Sequence, residues 1–248
     1  MFNLLKVELH KLKTYKLFYF MIFLGVLQAV VLVGFSDIFL AESKESMLNI
    51  AFNTQEGLPS IIFIGVFVGD YIVKEFTSGY IKNLITYGHR RCNIFIAKSL
   101  VILLAVMVFS LTGPTILFIR SFVVSRYTNS FTLESIMFLI KFIIIILFVQ
   151  SARVAISILY SVLFRNSYTT VISLILGMYF INIIVGFIST KISFVKKIYS
   201  NSIYNRMLQT IQHNIPLAEL LNIILFCLVL IIICTSLSIY IFERVDIK

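Results

Sequence analysis

The sequence predicts an all-α integral membrane protein, and two observations carry that. Hydrophobic residues make up 60% of the 248-residue chain and charged ones 13%, with a mean hydropathy of +1.01. A soluble domain is about half apolar and about a quarter charged. The apolar residues also fall into six runs, each close to the roughly 20 residues a helix needs to cross a bilayer. Lipid offers no partner to exposed backbone N–H and C=O groups, so such runs are read as helices. The 24 Phe and 12 Tyr exclude a disordered chain, and three cysteines exclude a disulfide scaffold. Cys92, Cys227 and Cys234 lack metal-ligand spacing and read as small hydrophobes.

The runs justify six spans in order, at 17–35, 57–73, 99–119, 135–163, 170–188 and 220–241. The first contains no charge, and it is too long for a signal peptide and lacks a clean small-residue cleavage site, so it reads as an anchor. The second is short and carries Asp70, four residues before Lys74, which predicts a helical ion pair at the membrane boundary. The third holds Gly113-Pro114, which predicts a kink or local unwinding of its outer half. The fourth contains Lys141, Gln150 and Arg153. Lys141 is expected to snorkel outward. Gln150 and Arg153, with Ser151, form a polar turn that either faces the bundle or lines a pathway. The fifth and sixth are uncharged, and the sixth is nearly unbroken Ile and Leu.

Orientation follows from lysine and arginine. The N-terminus, the second and fourth connections and the tail carry twelve basic residues, against seven on the other side. Both termini are therefore expected in the cytoplasm. The basic segment 189–218 dissents, and a five-span alternative would place it inside with the C-terminus outside. The net charge of +10 is then a cytoplasmic bias that meets anionic lipid, with no nucleic-acid footprint.

Two elements lie on the basic side. Residues 1–16 read as an interfacial helix, with Phe2, Leu5, Leu9 and Leu12 on an apolar face and Asn3, Lys6 and Lys13 beside it. The connection KEFTSGYIKNLITYGHRRCNIFIAK, residues 74–98, places Phe76, Tyr80, Leu84 and Ile85 on one stripe of a short helix over 75–86. Tyr87-Gly88 ends that helix, and Arg90-Arg91 precedes the third span.

These residues resemble the permease subunits of type-2 ABC exporters. The resemblance rests on Glu75, Ser78-Gly79, Lys82, Leu84-Ile85, Arg90 or Arg91, and Lys98, with Tyr87-Gly88-His89 where the family often has Pro. It implies that 75–86 is a coupling helix docking a separate ATP-binding subunit through Glu75, Phe76, Gly79, Tyr80, Lys82, Leu84, Ile85, Arg90 and Arg91. It also implies that the interfacial helix contacts that subunit, that a second permease copy, identical or related, completes the pathway, and that 189–218 forms outer re-entrant helices. ATP and Mg would be held by the partner, with no cofactor in this chain. Compact permeases of this kind resemble those of antimicrobial-peptide immunity and amphipathic-peptide export. A cargo taken from the bilayer fits spans rich in Phe, Ile and Leu. Abundant Ile, Asn, Lys and Tyr with no Trp points to an AT-rich bacterial genome.

No Gly precedes the Lys-Ser/Thr of a nucleotide-binding loop, so ATP hydrolysis is not expected of this chain. His10, His89 and His213 lie outside the spans and form no evident cluster. The rival reading is an ion-coupled secondary transporter, for which Asp70, Gln150 and Arg153 would be the intramembrane polar candidates.

Overall fold

The computed structural model describes residues 2–39, 57–123, 133–200 and 217–244, and every element among them is helical. Helix α1 (Phe2–Thr14) meets α2 (Lys16–Phe39) at Tyr15 with a 60° bend. Helix α3 (Leu58–Thr77) starts after Gly57 with a proline in its first two positions, where a missing N–H costs no hydrogen bond. After Ser78 and Gly79 comes the short α4 (Tyr80–Thr86), then α5 (Arg91–Ser110), α6 (Thr112–Val123) and α7 (Leu133–Phe164). Asn166 caps α8 (Ser167–Leu174) by accepting the Tyr168 N–H at 3.0 Å. A π-helical stretch (Ile175–Phe180) runs into α9 (Ile181–Ser189), followed by α10 (Ser193–Ser200) and α11 (Leu217–Arg244).

By length and composition four of these segments are able to cross a membrane, Arg91–Ile116, Ile140–Phe164, Ser167–Ser189 and Leu217–Arg244, or five with the bent pair α1–α2. The expected six therefore depends on α3 as well. Its 20 residues reach about 30 Å, but Asp70, Lys74 and Glu75 crowd its last eight positions. Two expectations shift. The third span starts its helix at Arg91, so Lys98 lies well inside α5, where an entry position was expected. The helix is interrupted at Leu111, one turn before Pro114, whose ring and missing N–H disturb the carbonyl of Ser110.

Helix α7 is the centre of the bundle, touching α3, α5, α8 and α11, while α2 packs on α6 and α1 lies across α5. The core is drawn from Ile64, Phe67 and Val68 of α3, Ile102, Ala105 and Phe109 of α5, and Val154, Ile158 and Val162 of α7. The π-helical stretch, α9 and α11 instead turn large residues outward, among them Phe180, Phe187, Leu225 and Ile232. These are faces suited to lipid or to another apolar helix. Helix α10 folds back on α9, bringing the Tyr199 ring against Gly186. The rest of the expected re-entrant segment, 201–216, lies outside the described residues.

Helices α3 and α8 approach through Gly65 and Gly69, a small-xxx-small pair. A Cβ on Gly65 would sit 2.9 Å from Leu174 Cδ1, and one on Gly69 3.4 Å from the Ser167 Cα. Between helices in lipid, where no solvent drives apolar burial, such close backbone contact supplies much of the attraction. Gly69→Val should therefore push α8 away and lower stability by about 1–3 kcal/mol. Thermal unfolding in detergent measures this, and a melting temperature equal to the parent's would show that the contact is dispensable.

A candidate functional site at the basic end of the bundle

The turn between α3 and α5 is fixed by its glycines. Ser78 closes α3 by donating its N–H to the Lys74 carbonyl at 2.9 Å, and Gly79 takes φ +69°. At the far end of α4, Gly88 takes φ +85°, its N–H bonding the Ile85 carbonyl at 2.9 Å and the His89 N–H bonding the Leu84 carbonyl at 3.3 Å. This is a left-handed helix stop that only glycine adopts without strain. The helix expected over 75–86 is thus divided. Phe76 belongs to the last turn of α3, and only Tyr80, Leu84 and Ile85 of the expected stripe share α4.

Beneath this turn lies a cluster of buried charges from three helices. Glu8 of α1, Glu75 of α3 and Lys98 of α5 are each at most 4% exposed. Lys98 Nζ lies 3.3 Å from Glu8 Oε1 and also pairs with Glu75, which pairs in turn with Lys11. The Tyr71 hydroxyl donates to Glu8 Oε2 at 2.7 Å. Both ammoniums lie over aromatic rings, Lys98 at 5.0 Å from the Tyr71 centroid and Lys11 at 4.9 Å from that of Tyr80. Burial first, and then the Lys98 ammonium, pull the Lys11 amine down to about 8, while Glu8 opposes them. Burial, seconded by Glu8, pushes the Tyr80 phenol up. Two acids face two bases, so the formal charges of the cluster balance.

The interfacial helix is correspondingly rotated from its expected face. Leu4, Glu8 and Leu12 are buried, Leu5 and Leu9 are half-buried, and Phe2 is exposed. An acid at the middle of an i, i+4, i+8 stripe was the missed signal. Leu4 packs with Ile94, Ala97, Leu84 and Ile85, which ties α1 to α4 and α5.

The structure distributes the other expected residues as follows. Phe76 stacks edge-on against Phe242 of α11 at 5.6 Å, and Glu75 is turned inward, so neither offers its side chain as an open contact surface. Arg91 Nη1 donates to the Glu243 carbonyl at 2.9 Å, closing the last turn of α11. Lys82 and Arg90 are exposed, as are Tyr87 and His89. Gly79, Tyr80, Leu84 and Ile85 are half-buried. Asp70 accepts from Lys74 Nζ at 2.9 Å, the expected ion pair, and from the Tyr15 hydroxyl as well. Gln150 and Arg153 lie far along the chain from this turn, buried in α7, where Arg153 Nη1 donates to Gln150 Oε1 at 3.3 Å.

A helical bundle of membrane-spanning length, with a basic, glycine-delimited turn locked to an N-terminal helix, defines a polytopic membrane protein. The chain belongs to the family described as ABC-2 family transporter protein, which matches residues 4–182 and so takes in α1 through the first residues of α9. No curated protein matches the chain. It is accordingly the membrane permease component of an ABC exporter, a multi-pass plasma-membrane protein with no ATPase of its own, and permeases of this family generally work with an ATP-binding subunit.

Proposed function

We propose that this bacterial permease, with both termini cytoplasmic, expels a hydrophobic or amphipathic peptide when a separate ATP-binding subunit drives the turn between α3 and α5, and that a second copy or related permease completes the pathway. The observation that supports docking at this turn is its outward face. Lys82 of α4 stands exposed, as do Tyr87, His89 and Arg90 in the turn that follows it, with Tyr87 82% accessible, and α4 is seated by the fully buried Ile81. A push on α4 passes through Ile81 into the core and through Leu84 and Ile85 into α1 and α5. ATP and Mg belong to the partner. Spans rich in Phe and Ile, with outward apolar faces on α8, α9 and α11, support a cargo drawn from the bilayer.

The test is recovery of the tagged permease from native membranes in mild detergent, followed by an ATPase assay. A stoichiometric ATP-binding subunit is expected, and Tyr87→Glu with Arg90→Glu should release it, because the partner would meet two charge changes on its contact face. A preparation that carries no such subunit, yet transports under an imposed ion gradient, would replace this reading with a secondary transporter and make Asp70, Gln150 and Arg153 the residues to mutate.

A further inference from the structure

The bend between α1 and α2 leaves a cleft against the end of α3. Two adjoining depressions form it, of about 480 and 610 Å³, sharing Thr14, Tyr15 and Lys74. The outer one is completed by Lys16, Leu17 and Phe20, so its lining holds two ammoniums and no carboxylate. Lys16 is exposed and forms no ion pair among the described residues. Lys74 keeps two-thirds of its side chain in the open, and its one acid, Asp70, is shared with the Tyr15 hydroxyl. Cationic charge therefore outweighs its protein partners here. Below the lysines the lining becomes apolar at Leu17 and Phe20, and Phe20 continues into the outward face of α2 with Phe23 and Leu27.

Cations above and an outward hydrocarbon wall below, at the start of a spanning helix, match the two ends of a charged lipid. We propose that this cleft binds an anionic phospholipid, its phosphate held between Lys16 and Lys74 and its acyl chains running along Leu17 and Phe20. A bound lipid would bridge the α1–α2 bend and the end of α3, bracing from outside the helices that the buried charges join from inside. The inference rests on this lining alone and stands whether or not an ATP-binding subunit docks nearby.

The experiment is native mass spectrometry of the detergent-purified full chain titrated with dioleoylphosphatidylglycerol, dioleoylphosphatidylcholine or sodium phosphate. The phosphatidylglycerol adduct should persist where phosphatidylcholine is lost. Lys16→Gln with Lys74→Gln should weaken it about tenfold or more, and Lys16→Arg with Lys74→Arg should retain it. Lys6→Gln with Lys13→Gln, which removes equal charge from exposed positions outside the cleft, should leave it unchanged. Equal retention of the two lipids, loss with the Lys6/Lys13 variant alone, or no effect of the Lys16/Lys74 glutamine variant would each overturn the proposal. So would displacement of the lipid by sodium phosphate, which would mark a site for free anions.

Discussion

Lys98→Met should be among the most damaging single substitutions in this chain. It leaves Glu8 and Glu75 buried near one another with Lys11 as their sole remaining ammonium in the described cluster. Breaking a buried ion pair by removing one partner costs on the order of 3–5 kcal/mol, which for a protein of this size lowers the melting temperature by about 10 °C. Adding Glu75→Gln to Lys98→Met restores the charge balance, with Glu8 facing Lys11 on α1. That double variant should recover most of the loss. The comparison is a thermal scan of the parent, the Lys98→Met and Glu75→Gln single variants and the double variant, and strictly additive effects would show that Lys98 and Glu75 are not coupled.

Phe76→Glu separates two roles that the sequence alone merged. As a docking knob, Phe76 would be exposed, and its replacement would release the ATP-binding subunit without harming the fold. In the structure its ring packs on Phe242, which also meets Phe95 at 5.4 Å. A carboxylate there loses the aromatic contacts and meets an apolar surface, at a cost of about 3 kcal/mol. The end of α11 should then loosen. In a Cys92→Ser background, maleimide labelling of Cys227 and Cys234, both buried on α11, should rise with Phe76→Glu and stay low with Phe76→Leu. Protected cysteines, with the ATP-binding subunit lost, would return Phe76 to the docking surface.

The spans were legible because lipid imposes a length and a composition that few other environments demand, so 135–163 and 220–241 fall within three residues of α7 and α11 at each end. The glycine stop at Gly88 was legible for a similarly local reason. The charge cluster was not. Glu75 and Lys98 stand out in the sequence, but their burial depends on Glu8 arriving from a helix some ninety residues away. Nothing local distinguishes an acid destined for a buried pair from one facing water. The division of the coupling segment at Gly79 was missed because Phe76 and Tyr80 keep helical spacing across a break that only the backbone reveals. The Gly65/Gly69 contact was not read from the sequence, because the neighbour it admits, α8, is set by tertiary packing.

The π-helical stretch between α8 and α9 gives the fifth expected span a change of phase. Winding more loosely than an α-helix, at more than four residues per turn, six such residues fall behind by on the order of 100° of rotation. The face that α8 sets against α3 is therefore not continued along α9, whose apolar residues point in a new direction. One helix thereby addresses two surroundings, its first half keyed to the protein and its second half turned outward. Tightening that single turn would rotate every residue beyond Phe180 as a block, without breaking the span.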